Sequence, residues 1–328
     1  MMHNLRDSFG RRFSYLRLSV IEACNFRCTY CLPNGYKKKP NEAAFLSLSE
    51  IQNLVSCFAE LGTTKLRLTG GEPTLRPDFL EIAKIVRDTP GIEKIALSTN
   101  AFKLKSLLPE LQRAGIQYLN ISLDSLDPAV FLKMTGSSQL NEITCAIEEA
   151  FSYNFAAIKI NVVLMKDLND KSYVSFLNWA KTAPLTIRFI ELMPTLQNNL
   201  LFKAHHINSQ FLKEDLKSRG WKLKPREMNA GPAEEYAHPD YRGQMGFIAP
   251  YEKDFCGNCN RLRVTSQGAL RLCLFGEGNY SLRDLLQSPD QKEELQLRLF
   301  SLLQKKEISH YLSEEKYGNN FSFSSMGG

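Results

Sequence analysis

Strand-like and helix-like segments alternate along the chain up to about residue 190, and this alternation constrains the fold more than any other feature. The helix-like segments carry apolar residues at the spacing of one helical face, and three of them end at Gly62, Gly91 and Gly115. Repeated βα units predict a parallel sheet with right-handed crossovers. Six units are fewer than the eight of a closed barrel, so an open doubly wound sheet and a partial barrel are both compatible with the pattern. The predicted strands are residues 14–20, 64–69, 93–99, 117–123, 158–164 and 185–191, and the predicted helices are residues 48–61, 77–88, 104–114, 128–134, 140–153 and 171–181.

The chain changes character after about residue 225. Gly231, Pro232, Pro239, Gly243 and Gly246 divide this part into short pieces. A hairpin is predicted from residues 261–265 and 269–275, and an amphipathic helix over residues 289–305. We therefore expect a core domain over residues 1–225 and a smaller α+β module over residues 226–328 that caps it. The last eight residues read FSFSSMGG, which is the composition of a frayed end.

Composition and charge exclude several classes of protein. Hydrophobic residues make up 43% of the chain and charged residues 23%, which is a globular mixture and not that of a disordered or fibrous chain. No apolar run approaches the length of a membrane span, and the N-terminal residues lack the apolar core of a signal peptide, so we expect a cytoplasmic protein with no membrane partner. The net charge of +6 is too small to indicate nucleic-acid binding, but it suits a small anionic ligand.

Polar side chains alternate with apolar ones in five of the six predicted strands. Arg17, Arg67, Lys159 and Arg188 each stand between apolar neighbours, so they share one face of the predicted sheet. Buried parallel strands are normally apolar on both faces. A wet edge strand, or a long side chain that extends to solvent, explains any single case, but five strands together predict a polar cavity. Because buried cations need partners, we expect a polyanion such as a nucleoside triphosphate in that cavity.

Three cysteines with the spacing C-x3-C-x2-C directly follow the first predicted strand. Structural zinc sites take four protein ligands, usually from paired C-x2-C elements. Three thiolates on one loop instead leave one iron of a four-iron cluster open to an outside ligand. A zinc site completed by a distant residue remains an alternative. The three cysteines are Cys24, Cys28 and Cys31.

A second triplet, formed by Cys256, Cys259 and Cys273, lies in the C-terminal part. It also offers three thiolates, and it predicts a second cluster with an open iron. The alternative is a zinc ribbon that takes His238 or another residue as its fourth ligand. Clustered cysteines in a chain of this length favour metal ligation over disulfides. The two remaining cysteines lie within predicted helices, where we expect them to fill the core; they are Cys57 and Cys145.

The first triplet and the segment after the second predicted strand together resemble the radical S-adenosylmethionine superfamily. That segment reads TGGEP at residues 69–73 and is similar to the superfamily's second motif. The resemblance implies that the triplet holds a [4Fe–4S] cluster and that the GGEP segment binds the amino group of S-adenosylmethionine. Two glycines allow a close backbone approach, and Glu72 offers an acceptor for the ammonium. The residues implied to contact S-adenosylmethionine are Tyr30, Gly71, Glu72, Ser122 and Met193.

Longer segments resemble one family within this superfamily, the GTP 3′,8-cyclases. They include CNFRCTYCLP, RLTGGEPTLR, IRFIELMP, PYEKDFCGNCNRLRV and LCLFGEG, and the match runs from end to end. It implies a partial (βα)6 barrel of the TIM type, two [4Fe–4S] clusters, and a guanine bound at the open iron of the second cluster. It also implies that Gly327 and Gly328 enter the active site and assist catalysis. The residues implied to contact GTP are Arg17, Arg67, Ser98, Lys159, Arg261, Leu262 and Arg263.

The same resemblance implies a radical reaction at the start of molybdenum-cofactor biosynthesis. Cleavage of S-adenosylmethionine gives a 5′-deoxyadenosyl radical that abstracts the 3′ hydrogen of GTP, and the carbon radical then attacks C8 of guanine. The expected partners are GTP, an electron donor and the next enzyme of the pathway, and the expected assembly is a monomer or a homodimer. Two competing hypotheses are a radical enzyme that modifies a peptide and a zinc-stabilised nucleic-acid-binding protein.

Overall fold

The computed structural model describes residues 4–38, 43–226, 230–252, 255–314, 316, 318 and 322–324. Six parallel strands stand side by side in chain order, each hydrogen-bonded to the next, with helices between them. Both ends of every one of these strands lie within one residue of the predicted bounds. The elements are β1 (Tyr15–Ser19), α1 (Leu48–Glu60), β2 (Lys65–Thr69), α2 (Phe79–Asp88), β3 (Lys94–Thr99), α3 (Leu104–Arg113), β4 (Tyr118–Ser122), α4 (Pro128–Thr135), α5 (Leu140–Ala150), β5 (Ala157–Leu164), α6 (Tyr173–Thr182) and β6 (Thr186–Glu191).

The C-terminal part extends this sheet at both edges. One of its strands pairs in parallel with β6 and another pairs in parallel with β1, and antiparallel strands follow on each side to give a 12-stranded sheet. The predicted hairpin is present and supplies the strands beside β1. The remaining elements are α7 (Asn199–His205), α8 (Gln210–Ser218), β7 (Lys222–Leu223), β8 (Glu234–Ala237), β9 (Gln244–Ile248), β10 (Arg261–Val264), β11 (Ala269–Arg271), β12 (Tyr280–Ser281) and α9 (Lys292–Leu303).

The C-terminal part is also continuous with the core sheet. Strands β8 to β12 belong to the C-terminal part, yet they continue the core sheet in the order β12-β11-β10-β1 at one edge and β6-β9-β8-β7 at the other. Without β9 and β10, the outer strands β6 and β1 would present unpaired backbone groups to solvent. The domain boundary at residue 225 stays a prediction.

The two faces of the core strands differ as the alternation predicts. Leu16 and Leu18 of β1, and Leu66 and Leu68 of β2, are fully buried in the hydrophobic core. Side chains pointing the opposite way, such as Arg17, line a cavity. The fold is thus a sheet with one face sealed by apolar side chains and the other open to a ligand. No helix among the described residues is long and apolar enough to cross a membrane.

The two lone cysteines have different environments. Cys57 in α1 is completely buried, as expected. The expectation for Cys145 is wrong, because its side chain is exposed. The buried face of α5 is formed by Leu140, Ile143 and Ile147, and position 145 lies off this face.

Candidate active site

A cavity of about 850 Å³ runs along the polar face of the core sheet. The first cysteine triplet follows the carboxyl end of β1. In β10, which is parallel to β1, Arg261 stands opposite Tyr15, so Cys256 and Cys259 lie toward the amino end of the strands. All six clustered cysteines line the cavity. One triplet therefore lies toward each end, with the polar strand faces between them.

The first triplet is a cluster of half-buried thiols. Burial raises the pKa of Cys28, and the neighbouring Asp124, Cys31 and Cys24 raise it further. Burial likewise raises the pKa of Cys31 to about 12, although backbone hydrogen bonds from residues 323 and 324 oppose this shift. Thiols with such high pKa values need a cationic partner to become thiolates. This environment suits a metal centre that supplies the missing positive charge.

Side chains beyond the cysteines shape this end of the cavity. The hydroxyl of Tyr30 donates to Oδ2 of Asp124 at 2.9 Å. The amide Nδ2 of Asn100 lies 3.8 Å from Sγ of Cys24 and donates to Oδ1 of Asn25 at 2.9 Å. These bonds orient the loop between β1 and α1, and the one from Asn100 reaches the sulfur of Cys24 directly.

The GGEP segment packs directly against the cysteine loop. The amide of Gly71 donates to the carbonyl of Ile21 at 2.8 Å, and that of Glu72 donates to the carbonyl of Ala23 at 2.9 Å. A Cβ atom on Gly71 would lie 2.3 Å from the Ala23 carbonyl oxygen. The glycine is therefore needed for the contact between two protein loops, as well as for any approach to a ligand.

Glu72 requires a correction, because its carboxylate does not face the cavity. The side chain is completely buried. Its Oε1 accepts hydrogen bonds from the hydroxyls of Thr74 at 2.6 Å and Thr99 at 2.8 Å, and its Oε2 accepts from the amide of Asn100 at 2.7 Å. Burial raises the pKa of Glu72, and these bonds oppose the shift. Glu72 therefore joins the loops after β2 and β3, and it is not available as a direct acceptor for an ammonium.

The second triplet lies in a more cationic environment. Burial raises the pKa of Cys259, but the charges of Arg261 and Lys306 outweigh burial and lower the pKa to about 7. Lys306 is itself buried, and its Nζ donates to the carbonyl of Leu272. The two ends of the cavity thus differ: among the described residues, cations lower the thiol pKa at the second triplet and not at the first.

Within the described residues, neither triplet converges on the single point that one zinc ion would occupy. Among the described residues, no group of three or more His, Cys, Asp or Glu side chains is arranged so that it could hold a metal ion. His238 packs against Trp221 and Tyr241, with ring centroids 5.7 and 5.2 Å away, and it does not line the cavity. The thiolates of a four-iron cluster bind separate irons and need not converge on one point. The donor sets therefore fit iron–sulfur clusters better than a single zinc ion.

Guanidinium groups line the middle of the cavity. Burial lowers the pKa of Arg17, and the neighbouring charges of Arg263 and Arg67 lower it further. Burial and Arg261 together lower the pKa of Arg263 to about 10. Within the described part of the chain, the buried Nε atoms of Arg67 and Arg263 have no hydrogen-bond partner. Crowded buried cations with unused donors require an anion of several charges.

Besides Glu72, three other predicted site residues are not placed in the cavity by the structure. Leu262 is wrong as a side-chain contact, because it is fully buried in the core beside Leu16. In β10 it points away from Arg261 and Arg263, which line the cavity. Gly327 and Gly328 lie outside the described residues. The predicted residues that do line the cavity, besides the six cysteines, are Tyr30, Gly71, Ser122, Met193, Arg17, Arg67, Ser98, Lys159, Arg261 and Arg263.

Comparison with known proteins identifies two family regions and close full-length relatives. Residues 18–180 match the radical SAM superfamily, and residues 185–312 match Molybdenum Cofactor Synthesis C. The chain is 49% identical to a GTP 3′,8-cyclase of Vibrio parahaemolyticus over 98% of this chain and 97% of that protein. It is 47% identical to a GTP 3′,8-cyclase of Pasteurella multocida over 99% of this chain and 96% of that protein. The chain belongs to the GTP 3′,8-cyclase family.

Solved structures agree with this placement at the level of the fold. SuiB of Streptococcus suis bound to S-adenosylmethionine is 11% identical, with a TM-score of 0.63 over 89% of this chain and 68% of that chain. The structure of anSMEcpe with bound AdoMet and a peptide is 16% identical, with a TM-score of 0.54 over 87% of this chain and 83% of that chain. These similarities confirm the partial barrel of the radical SAM core.

The cofactors of the GTP 3′,8-cyclase family match the donors in the cavity. The family uses S-adenosylmethionine and two [4Fe–4S] clusters. Each cluster requires soft thiolate ligands, and each end of the cavity offers three thiols that form no disulfide.

The sequence left several cavity residues of this GTP 3′,8-cyclase family member without a role. Lys65 lines the cavity two residues before Arg67 in β2, and the same alternation would have identified it. The alternation in β6 predicts that Arg188 points inward, but only the structure shows that it pairs with Glu235. Glu235 could not be found from the sequence, because β8 lies where glycines and prolines obscure the pattern. No local sequence pattern predicts that the buried Asp124 belongs to the site, because its hydrogen-bond partner Tyr30 is 94 residues away.

Proposed function

We propose that this chain cyclises GTP to (8S)-3′,8-cyclo-7,8-dihydroguanosine 5′-triphosphate in a radical S-adenosylmethionine-dependent reaction, the first step of molybdenum-cofactor biosynthesis. The observation that carries this proposal is one cavity lined by both cysteine triplets and by the cations between them. Identity of 47% to 49% with GTP 3′,8-cyclases over nearly the whole chain supports the assignment of substrate and reaction.

The carboxyl end of the strands binds S-adenosylmethionine in this proposal. Cys24, Cys28 and Cys31 hold the first cluster there. When bound, S-adenosylmethionine and this cluster supply the radical chemistry. Glu72 acts as a positioning residue that fixes the loop carrying Gly71. The side chains and backbone that contact S-adenosylmethionine are assigned to Tyr30, Gly71, Ser122 and Met193, which line the cavity.

The amino end of the strands binds GTP. Cys256, Cys259 and Cys273 hold the second cluster, which receives the guanine. The cations between the two ends bind the triphosphate and ribose through charge-assisted hydrogen bonds and fix the nucleotide relative to the radical source. The residues assigned to GTP are Arg17, Arg67, Ser98, Lys159, Arg261 and Arg263.

The C-terminal tail contributes to the same cavity in this proposal. Ser322 and Ser324 are buried, and residues 323 and 324 line the cavity near Cys31. Gly327 and Gly328 follow three and four residues later, within reach of the reaction space. Their assistance to catalysis is proposed on this proximity and on the family resemblance.

The further partners follow from the chemistry. An external electron donor supplies the reducing equivalent, and the next enzyme of the pathway takes the product. A reducing cytoplasm keeps the cysteines available as thiols. The protein acts as a monomer or a homodimer.

The test of the reaction is release of 5′-deoxyadenosine by anaerobically reconstituted protein with S-adenosylmethionine and a chemical reductant. We expect release to depend on added GTP and to be accompanied by a cyclised nucleotide. Release that depends on a peptide, with none of this product from GTP, would contradict the assignment and favour the peptide-modifying hypothesis.

Replacement of Arg263 separates the substrate role from the cluster role. We expect Arg263→Ala to weaken GTP binding about 10-fold or more, because a buried cation that would contact the phosphates is lost. The iron content and visible spectrum of the first cluster should stay unchanged. Arg219→Ala, at a half-exposed surface position, is the matched control and should bind GTP as the unmodified protein does. Unchanged affinity in the Arg263 variant would contradict the proposed role.

A further inference from the structure

A carboxylate from the C-terminal part lies among the cations of the cavity. Oε1 of Glu235, on β8, accepts a hydrogen bond from Nζ of Lys159 at 3.2 Å. The same oxygen accepts two hydrogen bonds from Arg188, from Nε at 3.0 Å and from Nη2 at 2.5 Å. Lys159 and Arg188 belong to the neighbouring strands β5 and β6. One acidic oxygen therefore holds two cations that face the same space.

The two ion pairs of Glu235 are unequal. Arg188 is nine-tenths buried, and two nitrogens of its planar guanidinium donate to the carboxylate. Lys159 is more exposed and makes one longer bond. Burial and the adjacent Arg188 lower the pKa of Lys159 to about 8, even though Glu235 opposes the shift. The contact with Lys159 is thus the weaker of the two, and it is the one that a competing anion can replace.

Glu235 also differs from the acidic residues next to it. Glu234, the preceding residue, bonds to Nζ of Lys213 at 2.7 Å, and Glu252 bonds to the same atom at 2.5 Å. These two carboxylates share the ammonium of one buried lysine, Lys213. Glu235 instead pairs with Lys159, which we assign to GTP, and with Arg188, which lines the same cavity.

We propose that Glu235 is a specificity-determining residue. Its carboxylate competes with the phosphate chain of the substrate for the ammonium of Lys159. It stays bound to Arg188 and gives up Lys159 when a polyphosphate enters. A ligand with several negative charges replaces the lost ion pair with stronger ones, whereas a neutral nucleoside does not. This inference rests on the proposed function, because it takes Lys159 to be a phosphate contact.

The experiment measures binding to the full-length, anaerobically reconstituted Glu235→Gln variant by calorimetry. The three probes are GTP, inorganic tripolyphosphate and guanosine. Because the variant removes the competing charge and keeps the size of the side chain, we expect GTP and tripolyphosphate to bind about 3- to 10-fold more tightly. Guanosine, which has no phosphate, should bind as it does to the unmodified protein. Glu234→Gln removes the same charge one residue away and should leave all three affinities unchanged.

A second variant identifies the cation that is released. In a Lys159→Met background, the Glu235→Gln change should no longer tighten binding of tripolyphosphate, because the released group is absent. A gain that persists in this background would overturn the role of Lys159. Thermal unfolding of each variant establishes that it is folded.

The remaining outcomes are also decisive. Weaker or unchanged GTP binding by Glu235→Gln would overturn the inference, since Glu235 would then only hold its two cations in place. Failure of the unmodified protein to bind GTP would instead contradict the proposed function. In that case tighter tripolyphosphate binding by the variant would still support competition at this anion site.

Discussion

The ammonium of Lys159 lies among groups from three other strands. Glu235 of β8 attracts it, whereas Arg188 of β6 and Lys65 of β2 repel it. Its pKa of about 8 reflects burial first and this repulsion second. The charge of a side chain proposed to bind phosphate is therefore partly lost just above neutral pH.

This environment predicts a pH dependence of GTP binding. Below pH 8 Lys159 is protonated in the free protein, and above pH 8 it must take up a proton before it can pair with phosphate. We expect the affinity for GTP to fall as pH rises from 8 to 9, by up to about 10-fold per unit. Calorimetry at pH 7, 8 and 9 measures the affinity for GTP. Lys159→Arg keeps its charge over this range, so its curve should be flatter; parallel curves would contradict the role of Lys159.

Single site residues were predictable where polar and apolar side chains alternate strictly along a strand. Arg17, Arg67 and Lys159 follow from strand periodicity alone, because every second side chain of a strand shares a face. The same rule should have excluded Leu262, which stands between two inward arginines and packs in the core. Glu72 was misassigned because a motif gives the position of a residue but not the direction of its side chain.

At the scale of elements, the contact between the GGEP loop and the cysteine loop is the tightest constraint on the site. Gly71→Ala would place a Cβ atom 2.3 Å from the carbonyl oxygen of Ala23, next to Cys24. We expect the loops to separate, at a cost of about 3 kcal/mol, and the first cluster to be lost. Iron analysis should then give about half the normal content. Gly231→Ala meets no atom of the described residues within 4 Å and should keep all its iron; equal iron in both variants would contradict the role of this contact.

Helix α1 is linked to the C-terminal part by an ion pair between Glu50 and Arg283. Glu50 caps the helix through the amide of Ser47 at 2.7 Å, and its Oε1 accepts from Nε of Arg283 at 2.8 Å. Although burial alone would raise the pKa of Glu50, Arg283 and Ser47 lower it to about 2. Glu50 therefore stabilises the fold above its unfolded pKa of roughly 4.5, and this contribution is lost as pH falls toward 2.

We accordingly expect Glu50→Gln to lower the free energy of unfolding by about 1 to 2 kcal/mol at pH 7 and by less at pH 3. Urea unfolding at the two pH values measures the difference. Glu60→Gln on the same helix removes a half-exposed ion pair with Lys292 and should cost at most about 0.5 kcal/mol. An equal loss at both pH values would show that the charge of Glu50 does not matter.

Elements were predicted well because each one carries its own local signal. The apolar spacing, the glycine stops and the alternation in strands are all properties of short segments. The helix predicted over residues 140–153 ends at Ala150, since no glycine or proline marks its end. The pairing of β9 and β10 with the core edges has no local signal, so it was missed.

At the scale of the whole molecule, Arg11 joins three distant parts of the chain. Its Nε bonds to the buried Asp7 at 2.6 Å, and its other nitrogens donate to the carbonyls of Cys256 at 3.1 Å, Ile308 at 2.9 Å and Glu307 at 2.6 Å. The N-terminal segment therefore fixes the loop that carries the second triplet.

Replacement of Arg11 should therefore affect one cluster and not the other. Arg11→Ala leaves Asp7 without its cation and frees the loop at Cys256, so we expect a loss of about 3 kcal/mol in stability and of the second cluster's iron. Arg11→Lys, which keeps the charge, should lose less. The neighbouring Arg12 is exposed, and Arg12→Ala should retain both clusters. Loss of both clusters together in the Arg11 variants would contradict this selectivity.

The placement of β10 beside β1 has a consequence for biosynthesis. Tyr15 acquires its partner Arg261 only after about four-fifths of the polypeptide has been made. While the ribosome is still translating, the first strand has an open edge, and so does β6 until β9 emerges. Separating the gene into two at the junction of its family regions would leave each product with bare edges that invite aggregation. We therefore expect each half to be aggregation-prone when it is made alone.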